Sequence, residues 1–187
     1  MFTYEMKGLD ELRQKFDPQL VNKAFEQAMQ VAATKLRTRI SKEIRVHYSV
    51  KAGDISKAVT LKRLPQLRML VYTGRVIGLD KFGAKTKSVS GKRGRRTGAT
   101  VLVRKTSGRK LVNRGFIADI NGPKVFKRIL GTKMQSNPKK EQIRRLYGPS
   151  VAHMAGDAVV ENLALAQVGQ DAATEFDRYL TFLMDKN

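Results

Sequence analysis

An apolar stripe near the start of the sequence constrains the fold more than any other feature. Apolar residues recur there every three or four positions, a spacing typical of a helix that buries one face. The stripe consists of Val21, Phe25, Ala28, Ala32, Leu36, Ile40 and Ile44. Asp17 followed by Pro18 indicates the start of this helix, because Asp caps the first amides and Pro fits the first turn. We therefore predict one helix from residue 17 to about 46, with a short separate helix over residues 9–16 before it.

The middle of the chain changes to the alternating pattern, rich in Val, Ile, Leu and Tyr, that is typical of strands. Asp54 is predicted to cap a short helix ahead of the first strand. Two polar segments, 81–98 and 131–140, are predicted to be loops, and the first is rich in glycine and expected to be flexible. The predicted strands cover residues 60–64, 67–79, 99–105, 110–113, 115–120 and 125–130, with a turn at Asn121-Gly122 between the last two.

The C-terminal part returns to the spacing of a helix, with Asp157 as a predicted cap and a predicted break near Gly169. Pro149 is predicted to open a shorter helix before it. The order of elements predicts an α+β fold, in which a small, mostly antiparallel β-sheet is packed by long N- and C-terminal helices and carries a long basic loop. We expect a single domain, 1–187, with N-terminal helices over 1–46, a basic β-rich middle over 47–148 and a C-terminal helical segment over 149–187.

Charge is unevenly distributed along the chain. The 37 Lys and Arg residues exceed the 16 Asp and Glu residues by 21. Residues 44–150 hold 27 of these bases and 4 of the acids, whereas residues 151–187 hold 2 bases and 6 acids. The 34 residues from Lys81 to Arg114 contain 12 bases and no acid. Such a segment favours a polyanionic partner, either nucleic acid or an acidic protein surface.

Catalytic patterns are absent from the sequence. There is no Cys, and His47 and His153 are too far apart in sequence to form a metal-ligand motif. The basic middle has four acids, Asp54, Asp80, Asp119 and Glu141, and no two of them are close in sequence. The glycine-rich segment lacks the Gly-Lys-Ser/Thr ending of a phosphate-binding loop. We predict that the protein is not an enzyme and has no cofactor and no catalytic or metal site.

Binding to the nucleic-acid backbone is the chemistry that this composition favours. Lys and Arg neutralise phosphates, and glycines between them let the chain follow a curved polyanion. Aromatic residues for base stacking are scarce in this part of the sequence, so we expect contact without sequence preference. The candidate residues are Lys85, Lys87, Lys92, Arg93, Arg95, Arg96, Lys105, Arg109, Lys110 and Arg114.

Three stretches carry a resemblance to a known family. They are residues 21–59, a long helix leading into a Val-Lys segment with a short helix, residues 114–129, with a Gly-Phe-Ile strand, and residues 145–156. This arrangement resembles the minor tail protein Z family of long-tailed phages, the tail completion proteins of the neck. Residues 114–117 match the strand motif of that family, and the resemblance implies that they are elements of the fold.

The resemblance implies a structural virion protein at the head-proximal end of the tail. Such a protein is expected to form a ring, expected to be a hexamer, that joins tail to head. Its expected partners are the tail terminator, the tail tube, head and neck proteins and the phage DNA backbone. It is expected in the host cytoplasm during assembly and then in the virion. No membrane contact is expected, because the longest uncharged stretch, residues 146–156, is too short to span a bilayer.

A ring built head to tail needs two different faces on each subunit, and the acidic C-terminal segment is a candidate for one of them. The candidate interface residues are Asp157, Glu161, Asp171, Glu175 and Asp177. These acids are equally compatible with ordinary helix-surface charges. The alternative for the whole protein is a free, basic nucleic-acid-binding protein of ribosomal or chromatin type.

Overall fold

The protein is described here by a computed structural model, which defines residues 9–64, 67–88 and 96–186. Six helices and ten strands follow one another in these residues, with a single 3-10 turn at Leu79–Lys81. In chain order they are α1 (Leu9–Lys15), α2 (Pro18–His47), α3 (Ala52–Ser56), β1 (Val59–Leu64), β2 (Leu67–Tyr72), β3 (Val76–Gly78), β4 (Lys85–Ser88), β5 (Arg96–Val101), β6 (Lys110–Val112), β7 (Gly115–Asp119), β8 (Pro123–Met134), β9 (Asn137–Arg145), β10 (Tyr147–Ser150), α4 (Val151–Ala155), α5 (Ala158–Leu165) and α6 (Val168–Met184).

The predicted α+β class is confirmed, and all the strand pairs are antiparallel. The described strands form four small sheets instead of one. They are the hairpin β1–β2, the pair β3–β10, and two three-stranded sheets in the orders β4–β5–β6 and β7–β8–β9. None of the described helices is long and apolar enough to cross a bilayer.

The chain groups into two compact units that cut across its linear order. We call residues 1–43, 59–72 and 156–187 the helical unit, and residues 44–58 and 73–155 the basic unit. The N-terminal helices and the C-terminal helical segment thus belong to the same unit, together with β1 and β2. The single domain expected from sequence stays a prediction, since compactness alone does not decide whether the units unfold together.

The helical unit is built around the apolar stripe that the sequence predicts. Val21, Ala24, Phe25 and Ala28 of α2 form its core with Phe176 of α6. Leu12 of α1 and Tyr179, Leu180 and Leu183 of α6 pack against this core. The predicted start of α2 is confirmed, because the Asp17 carboxylate accepts a hydrogen bond of 2.8 Å from the amide of Gln19.

The basic unit has its own core of buried side chains. Tyr48, Ile55, Phe82, Val125 and Met154 are all at most 2% exposed. Gly148 of β10 is required beside Phe82, because an added Cβ would lie 2.6 Å from the aromatic ring.

Several turns and caps form as the sequence predicts. The Asp119 carboxylate accepts a 3.0 Å hydrogen bond from the amide of Gly122, which closes the Asn121-Gly122 turn between β7 and β8. The Asp157 carboxylate accepts from the amide of Val159 and caps α5. The predicted break in the C-terminal helix is present between α5 and α6, a few residues before Gly169.

Three predictions about residues 54–98 are wrong in part. Asp54 lies inside α3, whose N-cap is Lys51. The strand predicted over 67–79 is interrupted, because β2 ends at Tyr72 and β3 begins at Val76. The predicted loop 81–98 contains β4 and the start of β5, which pair with each other. Residues 89–95, the centre of that predicted loop, lie outside the described residues.

The predicted loop 131–140 is a hairpin instead. Residues 131–134 belong to β8, and residues 137–140 begin β9. These positions are polar and therefore lack the apolar alternation by which strands are predicted. Their backbone groups nevertheless pair across the hairpin, and Lys133 lies opposite Glu141.

Candidate nucleic-acid interface

Charge is segregated by unit as well as by sequence, although less sharply. The basic unit holds 24 of the 37 bases and 4 of the 16 acids, a formal net charge of +20. The remaining 13 bases and 12 acids leave the helical unit at +1. The fold takes Lys62, Arg63 and Arg68 of β1 and β2 out of the basic middle and groups them with the acidic C-terminal segment, so the basic unit has three cations fewer than residues 44–150. One compact body therefore carries almost the whole excess charge.

The sheet β4–β5–β6 holds several of the predicted nucleic-acid residues. Lys85 is exposed on β4 opposite Thr100, and Lys87 follows opposite Gly98. Arg96 begins β5 opposite Ser88. Lys110 is exposed on β6 opposite Val101. These four positions belong to one sheet, and Lys92, Arg93 and Arg95 lie outside the described residues.

Two of the predicted residues donate hydrogen bonds to backbone carbonyl groups within the basic unit. The Arg109 guanidinium donates hydrogen bonds of 2.7 Å to the carbonyl of Gly83 and 3.4 Å to that of Thr100. The Lys105 ammonium donates to the carbonyl of Arg45. Because these hydrogen bonds use donor groups of both cations, the two residues are weaker candidates for phosphate contact than Lys85.

Arg114 combines a positive charge with an unusual backbone. It is exposed in the turn between β6 and β7. Its φ angle is 57°, a backbone conformation that residues other than Gly rarely adopt. Gly115 follows it, and an added Cβ there would lie 2.6 Å from Cγ1 of Val112. The turn therefore presents Arg114 to solvent while it requires glycine at the next position.

Sequence reasoning missed a second group of cations, on the hairpin β8–β9. This hairpin has one acid, Glu141, and eight bases: Lys124, Lys127, Arg128, Lys133, Lys139, Lys140, Arg144 and Arg145. In the structure, half-buried Glu141, Ile143 and Arg145 alternate with exposed Gln142 and Arg144, as in a strand with one covered face. Because nearly all residues of β9 are polar, the sequence does not show this alternation of covered and exposed side chains.

One cross-strand pair in this hairpin joins two like charges. Lys127 of β8 lies directly opposite Arg144 of β9, and neither side chain has an acidic partner among the described residues. Like charges in direct opposition destabilise a sheet. A bound anion would relieve the repulsion, which makes this pair a further candidate contact for phosphate.

The predicted acidic interface residues divide into two groups. Asp171 and Glu175 of α6 pair with cations of α2 inside the helical unit. The Lys35 ammonium lies 2.8 Å from Glu175 and 3.7 Å from Asp171, and Arg39 binds Asp171. Lys35 is the main cause of a lowered pKa at Glu175, and its own pKa is raised by the same hydrogen bond. Both carboxylates are therefore occupied within the subunit, because their positions on α6 match those of the α2 cations.

The other three acids remain candidates for a subunit interface. Glu161 of α5 is half-buried, and Asp177 of α6 is exposed. Asp157 caps α5, so its carboxylate is committed in part to the helix. The interface prediction now depends chiefly on Glu161 and Asp177.

Within the described residues, no cluster of three or more His, Asp and Glu side chains could hold a metal ion. His153 is exposed, and His47 is half-buried at the end of α2.

The chain matches no protein-family model, no curated protein and no solved structure.

Proposed function

We propose that this protein is a structural component of a long-tailed phage, which completes the tail at its head-proximal end and contacts the phage DNA backbone. The observation that carries the proposal is the concentration of charge, with a net of +20 in the basic unit and +1 in the helical unit. A ring of such subunits would present a strongly cationic surface to a polyanion. The resemblance to the minor tail protein Z family supplies the setting for that polyanion, a DNA channel between head and tail.

The geometry supports contact with the DNA backbone and not with base edges. Exposed cations are distributed over strands of two different sheets, at Lys85, Lys110, Lys139 and Arg144. They do not form a row on one helix that could enter a groove, as a sequence-reading helix would require. Phosphate contacts of this kind bind DNA without sequence preference.

Assembly into a ring would use two different faces of each subunit. Glu161 and Asp177 are the C-terminal candidate acids that remain for a neighbour once Asp171 and Glu175 are paired internally and Asp157 caps α5. Their expected partners are cations of the basic unit of the next subunit. Tail terminator, tail tube and head proteins would cover the two open sides of the ring.

Incorporation into phage particles tests the proposal. Glu161→Lys with Asp177→Lys is expected to leave the isolated subunit folded and to abolish its incorporation into tails, scored by electron microscopy and infectivity. The matched control is Glu11→Lys with Glu26→Lys, which reverses two exposed acids on α1 and α2. Normal incorporation of the Glu161/Asp177 variant would show that these two acids take no part in ring assembly. Absence of the wild-type protein from purified particles would overturn the virion assignment.

The alternative of a free nucleic-acid-binding protein is favoured by the same charge concentration. Capture on ribosomes or bulk chromatin, with none in particles, is the outcome that would select it.

A further inference from the structure

A polar cleft of about 520 Å³ lies within the basic unit. Its volume is in the range of pockets that bind small ligands. Residues from α3, β3, β10 and the segments beside them line it. Its charged and aromatic side chains are Asp54, Lys57, Arg75, Lys81, Arg145 and Tyr147.

The cleft has more positive charge than its own carboxylates neutralise. Asp80 binds Arg145 at 2.9 Å, and Asp54 lies 4.0 Å from Lys81, at the limit of an ion pair. Lys57 and Arg75 are exposed, and no described residue offers either side chain a hydrogen-bond or ion-pair partner. Four cations and one carboxylate, Asp54, line the cleft, and Asp80 beside it pairs with Arg145, which leaves the cleft suited to an anion.

An aromatic ring stands beside these cations in a fixed position. Tyr147 is 51% exposed, although it belongs to a strand that packs on the core of the unit. The Arg145 guanidinium lies 5.2 Å from the centre of the Tyr147 ring, and its ion pair with Asp80 holds it there. Gly78 makes room for this arrangement, because an added Cβ would collide with both Arg145 and Asp80.

We propose that this cleft binds single-stranded DNA, with phosphates held by Lys57, Arg75 and Lys81 and a base stacked on Tyr147. Cations beside an exposed aromatic ring are the recurring components of single-strand sites, since any base can stack while the backbone follows the charges. A duplex keeps its bases stacked on one another, so the ring selects for a strand or a frayed end. The inference rests on the proposed contact with DNA and assigns it to a particular surface.

Fluorescence anisotropy with a labelled oligothymidine of about eight nucleotides tests the site. Lys57→Ala with Arg75→Ala is expected to weaken binding roughly tenfold or more, because each lost charged hydrogen bond is worth a sizeable factor. The log–log salt slope should also become shallower by about 0.7 for each cation lost. The matched control is Lys23→Ala with Lys42→Ala, which removes the same charge from exposed positions of α2 that do not line the cleft.

Tyr147 supplies an independent readout. Tyr147→Leu is expected to weaken binding of the oligothymidine roughly 5- to 100-fold and to leave the salt slope unchanged, because stacking releases no counterions. Tyr147→Phe keeps the ring and should keep the affinity. A blunt duplex and free thymidine monophosphate serve as further probes. Tighter binding of the nucleotide than of the oligonucleotide would show that the cleft binds a small molecule and not a DNA strand.

The outcomes separate this inference from the proposed function. Equal losses in the Lys57/Arg75 variant and its Lys23/Lys42 control would overturn the cleft and leave diffuse DNA contact intact. Unchanged binding by Tyr147→Leu would overturn the stacking contact. Absence of binding by the wild-type protein to any DNA would overturn both the cleft and the proposed DNA contact, whereas incorporation into particles would still report on the structural role.

Discussion

Tyr72, at the end of β2, carries a phenol group that is buried without a hydrogen-bond partner among the described residues. Burial raises the pKa of this phenol to about 12. We expect Tyr72→Phe to stabilise the protein by about 1 kcal/mol. The substitution removes a hydroxyl group that loses its hydrogen bonds to water on folding and gains none from the described residues in return. Chemical denaturation of both proteins would measure the change.

The same substitution predicts a pH effect. The pKa of Tyr72 is higher in the folded state than the usual value of 10.0, so the wild type should lose stability as the pH rises from about 10 to about 12. The advantage of Tyr72→Phe should therefore grow in that range. A stability difference that stays constant or shrinks above pH 10 would show that the phenol is solvated.

The lowered pKa of Glu175 predicts a loss of stability at acid pH, whereas the raised pKa of Tyr72 predicts a loss at alkaline pH. The ion pair of Glu175 with Lys35 lowers its pKa below the usual 4.5, so this pair stabilises the fold above that pH and the contribution is lost as the pH falls through the lower value. Glu175→Gln should lower the melting midpoint at neutral pH, and the difference from wild type should vanish in acid. Glu26→Gln on the exposed side of α2 is the control, and an equal effect there would exclude a special role for the pair.

These residue-scale pairings could not be predicted from sequence. Asp171 and Glu175 lie more than 130 positions from Lys35 and Arg39. Their acidity suggested a surface for another subunit, and only the packing of α6 against α2 assigns them to internal partners. Asp17 and Asp157 were predictable, because a cap acts on the helix that begins immediately after it.

At the scale of elements, α5 depends on its cap. Its eight residues are too few for a helix that is stable alone in water, so the start of the helix needs support. Asp157→Ala is expected to destabilise the fold by about 1 kcal/mol, and Asp157→Asn should restore most of it, because Asn also caps well. Thermal denaturation of the two variants tests this. Equal loss in both would mean that the charge of Asp157 matters, and not its hydrogen bond to Val159.

The hairpin β8–β9 shows where prediction of elements fails. Asn121-Gly122 and the apolar alternation of residues 115–120 and 125–130 predict the β7–β8 pairing correctly. Beyond Arg128 no residue is buried until after Ile143, so sequence pattern carries no mark of a buried face. The strands persist there because their backbones bond to each other, which is a property of the partner strand and not of side-chain hydropathy.

For the whole molecule, the net charge of the basic unit predicts how DNA affinity responds to salt. If about six phosphates are neutralised on duplex DNA, the log of the affinity should fall with the log of the salt concentration at a slope of about −5. Binding titrations over a range of salt concentrations measure this slope. A slope near zero, or strong preference for one sequence, would contradict contact with the backbone.

Local sequence patterns are enough to predict the α+β class, the long helix α2 and its start, the Asn121-Gly122 turn and the excess of positive charge in the middle of the chain. Each of these features depends on residues that are close in sequence, through their spacing, their capping or their composition. The tertiary packing, and not a local pattern, joins both ends of the chain and the β1–β2 hairpin in one compact unit, and it thereby takes three cations out of the basic middle. It also placed Tyr147 beside Lys57 and Arg75, which are distant in sequence. The physical reason is that burial and pairing join segments according to complementary surfaces, and a linear pattern does not specify which surfaces meet.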